Sequence, residues 1–116
     1  MEIDYLIVRW SAPDGEEFNI GMLERVLKVY YFWYIGDGVR KAEQKGFRLF
    51  PEFPFREMVY LAYELFGTFS SRLPSRSRVD IDKILDRYGL DEYDPFDLLA
   101  ASGGKLPCDR LSFKRR

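Results

Sequence analysis

Apolar and polar positions alternate through the first third of the chain, and in the last third they recur at three- and four-residue spacing. Over residues 4–10, DYLIVRW, Tyr5, Ile7 and Arg9 share one side while Leu6, Val8 and Trp10 share the other, the period of a strand. Ala12-Pro13-Asp14-Gly15 follows with proline and glycine at the positions a tight turn favours. Residues 17–25 read as a second strand, with Phe18, Ile20 and Met22 on one face. Gly21 opposite them marks a bulge or a close backbone approach. Residues 27–35, LKVYYFWYI, are the strongest strand signal. Val29, Tyr31, Trp33 and Ile35 point one way, and Tyr30, Phe32 and Tyr34 the other. Both faces are apolar. Either helices and a loop cover both, or one face is a contact surface.

The last third carries helical periodicity with legible ends. Phe66, Phe69 and Leu73 make a first stripe, weakened by Gly67 and stopped by Pro74. Ile81, Ile84, Leu85 and Tyr88 fall at i, i+3, i+4 and i+7, with Ser77 as a plausible N-cap and Gly89 just past the end. In the third, Asp94 caps, Pro95 takes the first helical position, Asp97 follows, and Phe96, Leu99 and Ala100 form the buried stripe before Gly103-Gly104. Capping accounts for Asp94 and Asp97 without a catalytic role. Leu111, Ser112 and Phe113 then alternate as a closing strand. The pattern as a whole is α+β: a small antiparallel sheet of about four to five strands with three short helices packed on it.

Between these regions the signals are weaker. Gly36-Asp37-Gly38 reads as a turn; without a GK[ST] or GxGxxG pattern it is no phosphate loop. Residues 39–45 suit one or two helical turns, and 57–62, EMVYLA, fit a strand or a helix start. Residues 47–55, FRLFPEFPF, hold four Phe and two Pro, which excludes a regular helix or a central strand. They form an extended loop, either pinned to the core by its rings or presenting them to a partner. Phe50, Phe53 and Phe55 are the candidate contacts there, Phe53 foremost because prolines flank it, together with Tyr30, Phe32 and Tyr34 of the strand.

Composition narrows the chemistry. The 116 residues suit one domain, 1–116, with a modest core. The 17% aromatic content implies a dense core or exposed contact surface. A formal net charge of −1 gives the whole molecule no attraction for nucleic acid. Arg72, Arg76 and Arg78 are the local exception, a basic cluster able to meet phosphate or an acidic partner, and Lys114, Arg115 and Arg116 form another. With no histidine, Ser-His-Asp and Cys-His catalysis are excluded, and a single cysteine, Cys108, excludes an internal disulfide. No paired carboxylate lies outside a capping position, and no cofactor motif occurs. No apolar run reaches about 20 residues and the start is not basic, so the expectation is a non-membrane, cytoplasmic protein without catalytic activity.

The stretch FSSRLPSRSRVDIDKILDRYGLDEYDPFDLLAASGG resembles the end of the N-terminal subdomain of HipA-type serine/threonine kinase toxins. Phe69, Leu73 and Pro74, then Pro95 to Ala100, carry the likeness, and Ile20 to Arg25 resembles that family's "VGTLxR" strand. GFRLFPEFPF and VYLAYELFGTFSSRLPSRSR are also similar to a bacterial group whose module precedes a HIRAN domain. A similar module exists alone, as a HipS-like antitoxin beside a kinase lacking this subdomain. The family's kinase activity resides in a lobe for which this chain has no room. The resemblance therefore implies an antitoxin-like module that binds and restrains a HipA-like kinase. The runner-up expectation is a nucleic-acid-associated accessory module of a HIRAN-linked or phage-defence protein.

Overall fold

The computed structural model describes residues 3–106 and 109–115. Cys108 and Arg116, singled out in the sequence, lie outside them. The elements run β1 (Ile3–Ser11), β2 (Glu17–Val26), β3 (Val29–Tyr34), α1 (Gly36–Gln44), β4 (Tyr60–Ala62), α2 (Gly67–Ser70), α3 (Ile81–Arg87), α4 (Pro95–Ser102) and β5 (Leu111–Arg115). The strands form one antiparallel sheet in the order β4-β3-β2-β1-β5. The fold is α+β, with one helix more than the hydrophobic pattern suggests.

Alternation along β1 is as the sequence implies: Leu6 and Val8 are fully buried and Trp10 nearly so, while Tyr5, Ile7 and Arg9 face the other way, half-buried. In β2 the register slips, with Val8 opposite Gly21 and Arg9 opposite Asn19. The extra residue, Ile20, bulges inward, so Phe18, Ile20 and Leu23 reach the core and Met22 turns to the opposite face. That corrects the expectation that Met22 sits beside Phe18 and Ile20. Gly21 serves both the bulge and a close approach, because a Cβ there would lie 2.6 Å from the Phe32 ring.

Helix α1 begins at Gly36, where a turn was expected. The two glycines are part of the helix: a Cβ on Gly38 would sit 1.8 Å from the Asn19 carbonyl oxygen. Glycine lets the helix lie flush on β2, burying Val39 and Ala42. Helix α2 is a single turn that buries Phe66 and Phe69. Helix α3 starts later than Ser77 would place it. Ser77 pairs with Ser75, and Asp80 stands at the N-cap position without donating or accepting a capping bond. Helix α4 follows its sequence signals. The Asp94 carboxylate accepts from Asp97 N at 3.0 Å, Pro95 opens the helix, and Gly103 ends it at φ 74°. Leu98 is buried alongside Phe96 and Leu99.

One hydrophobic cluster joins the inner sheet face, α1, α2, α4 and the aromatic loop. Phe32 lies near its centre, with ring centroids of Phe53 at 4.4 Å, Tyr34 at 5.1 Å and Phe69 at 5.4 Å.

Candidate functional site

The aromatic loop is built into the core. Phe53 is fully buried between Phe32, Phe66 and Tyr60, and Phe47 is also buried. The Tyr34 hydroxyl donates to the Phe53 carbonyl at 2.8 Å and accepts from Phe50 N at 2.9 Å, so one side chain fastens both halves of the loop. Burial raises the Tyr34 pKa, opposed by the bond from Phe50 N. Tyr60 accepts from Phe55 N at 2.8 Å, and Glu52 accepts from Thr68 N at 2.9 Å. The expectation that Phe53 is a presented finger is thereby overturned: its ring is packed inward, and the Tyr34 hydroxyl holds its carbonyl. Phe50 is half-buried among Phe47, Tyr34 and Phe69. Of the four loop phenylalanines, only Phe55 is exposed, at 60%.

The strand candidates are corrected in the same way. Tyr30, Phe32 and Tyr34 line the core side of β3. Phe32 and Tyr34 are buried, and Tyr30 is half-buried against Phe96. The face outside the core cluster is the opposite one, where Met22 is buried and Ile7, Tyr31 and Trp33 are half-buried. There Tyr31 stands between Leu61 and Glu24, Trp33 beside Met22, and Met22 beside Ile7. None of these side chains belongs to the core cluster. Glu24, Val26, Tyr31, Trp33 and Val59 line a groove of about 380 Å³ on this face. At its rim, edge strand β4 and its approaches expose Met58 (48%), Val59 (61%), Leu61 (51%) and Tyr63 (77%). Isolated exposed apolar residues need no explanation, but a run of them continuous with an aromatic groove is the usual mark of an interaction site. The helices and the loop thus pack on only one of the two faces of β3.

The basic cluster is engaged internally. Arg72, its side chain only 4% exposed, donates to both Asp109 oxygens at 2.9 Å and to the Gly104 carbonyl at 2.6 Å, with its guanidinium 5.1 Å from the Phe113 ring centre. Arg76 lies over the Tyr93 ring, and Arg78 pairs with Asp80. At the other cluster, Arg115 pairs with Asp4 and Asp97. Arg72, Arg76 and Arg115 connect separate segments and Arg78 pairs locally, so these arginines are engaged within the chain.

An ionic junction that the sequence did not reveal ties β1, β2 and α4 together. Arg25 reaches Asp4 at 2.8 Å, Asp94 at 2.9 Å and Asp97 at 3.0 Å, and its guanidinium lies 4.6 Å from the Phe96 ring centre. Burial alone would lower the Arg25 pKa. The bond to Asp4 and the charges of Asp94 and Asp97 outweigh it, and the net direction is upward. Asp94 and Asp97 are thus a cap and a counter-ion pair. Among the described residues, no group of three or more His, Cys, Asp or Glu gathers to hold a metal, and no helix is long and apolar enough to cross a membrane.

No family model matches the chain, and no curated protein or solved structure is significantly similar to it.

Proposed function

We propose that this chain is a protein-interaction module resembling the HipA N-terminal subdomain, acting as an antitoxin-like regulator that binds and restrains a HipA-like serine/threonine kinase. The observation that carries the reading is the apolar sheet face of Tyr31, Trp33, Val59 and Leu61, left uncovered in a molecule whose helices α1, α2 and α4 pack on the other side. Rings in a shallow groove beside an exposed edge strand suit a protein partner, because aromatic anchors in desolvated grooves dominate interface energies. The edge itself can accept a further strand. The contact therefore moves from Phe53 to the β3–β4 face. The nucleic-acid alternative loses its main support, since Arg72, Arg76 and Arg78 are each occupied within the chain.

The test is co-expression with a HipA-like kinase encoded beside it, scoring growth and co-purification for the wild type and for Leu61→Asp. The expected result is rescue and co-purification by the wild type, with both lost in Leu61→Asp while its melting temperature stays near the wild-type value. A wild type that neither rescues nor binds would refute the proposal.

A further inference from the structure

A second concavity, of about 470 Å³, lies between α3, the segment after α2 and the end of α4. It uses none of the sheet-face residues and stands independently of the partner reading. Four cations line it: Arg72, Arg78, Arg87 and Lys105. Asp80 is the one carboxylate among its lining residues, and it is taken by Arg78, while Asp109 outside the wall takes Arg72. Arg87 and Lys105 form no ion pair among the described residues, which leaves two unmatched positive charges facing one cavity. In a chain of net charge −1 that concentration is local. Lys83 stands one turn before Arg87 on α3, adding a like charge to the same helix face. A bound anion would complement the Arg87 and Lys105 charges.

The remaining lining has two characters. The hydroxyls of Ser71 and Tyr88 make no hydrogen bond among the described residues and can donate to an anion's oxygens. Leu73, Ile84 and Leu98 also line the cavity and supply an apolar surface that can take an uncharged body. A volume of this size falls within the range of about 300–1,000 Å³ typical of small-molecule sites, far more than a bare ion fills. Two cations with added hydroxyl donors match a phosphate monoester, which carries a charge of about −1.5 to −2 and three acceptor oxygens, better than a single carboxylate.

We propose that this pocket binds a small phosphate monoester with a flat or apolar body, of mononucleotide size, through Arg87 and Lys105. The experiment follows backbone amides by NMR at low ionic strength while AMP, adenosine or inorganic phosphate is added. It compares the wild type with Arg87→Gln, Lys105→Gln, the double variant and Lys41→Gln, a control on α1. AMP is expected to give saturable shifts at residues 71, 87–88 and 104–106. Adenosine and inorganic phosphate should bind at least about tenfold more weakly, and each pocket variant should weaken AMP about tenfold, as loss of a charge-assisted bond implies. Lys41→Gln should match the wild type. Both pocket side chains are exposed, so their variants should keep the wild-type spectrum elsewhere. Absence of saturable shifts, adenosine binding as tightly as AMP, or wild-type affinity in the double variant would overturn the assignment. Inorganic phosphate as tight as AMP would overturn the role of the apolar surface.

Discussion

Tyr34 shows how one atom can decide a loop's path. Its hydroxyl bonds both Phe50 N and the Phe53 carbonyl, so Tyr34→Phe strands two backbone groups of a partly buried loop while keeping the ring. The expected cost is about 2 kcal/mol, measured by urea unfolding. The alkaline limb should change too. Burial raises the folded pKa of Tyr34 above its ordinary 10.0, so the unfolded chain ionises first. The stabilisation is whole below about pH 10 and declines as pH rises beyond it, and Tyr34→Phe should flatten that decline. Phe53 and Phe55 make a matched pair for a second test. Phe53→Ala opens a cavity among stacked rings and should cost about 3–5 kcal/mol, whereas Phe55→Ala, on an exposed ring, should stay within about 0.5 kcal/mol by the same unfolding assay. The density of Phe and Pro in 47–55 made an irregular aromatic loop legible. Which ring turned inward was not, because that depends on a hydrogen bond to a tyrosine 16 and 19 residues earlier.

Among the elements, the signals that could be read were those written within a few residues. Asp94, Pro95, Asp97 and Gly103 delimit α4 through bonds spanning three or four positions, and the structure follows them. Ser77 had the right chemistry for a cap but is drawn to Ser75 instead. Gly38 looked like part of a turn because its reason lies in another strand, where Asn19 leaves no space for a Cβ. The Arg25 junction was hidden for the same cause, its partners lying 21, 69 and 72 residues away. It joins β1, β2 and α4 through one guanidinium, so Arg25→Ala leaves Asp94 without its ion pair, and Asp4 and Asp97 with only the longer contacts to Arg115 at 3.5 and 3.6 Å. Breaking a well-buried pair costs about 3–5 kcal/mol; with the carboxylates about one-third exposed, about 2 kcal/mol is expected here. Arg25→Lys should recover less than half of it, since a single ammonium cannot reproduce a planar fork shared by three carboxylates. Thermal unfolding of the three proteins side by side measures both effects.

For the whole molecule, the informative asymmetry is that a single helical layer covers only one face of the sheet. The apolar pattern of β3 could not say which face was covered, because both sides of the strand are aromatic; the positions of α1, α2 and α4 settle it. The same layering makes the fold depend on its last strand. β5 pairs with β1 across the chain, Leu6 with Arg115 and Trp10 with Leu111, and inserts Leu111 and Phe113 beneath the helices. Asp109, just before it, holds Arg72, and Phe113 N donates to the Gly103 carbonyl at the end of α4. A chain ended after Gly104 therefore loses two buried side chains, an edge ladder and the counter-ion of a nearly buried guanidinium. Burial of Phe and Leu is worth about 3–5 and 2–5 kcal/mol respectively in cores, and a domain of this kind is stable by only about 5–15 kcal/mol. The truncated chain is expected to be unfolded, with collapsed amide dispersion in an NMR spectrum. Dispersion like that of the full chain would mean that β1–β4 and the helices form a sufficient core without β5. A separate peptide spanning residues 105–115, added to the truncated chain, should restore the dispersion, because the missing contacts come from one continuous segment.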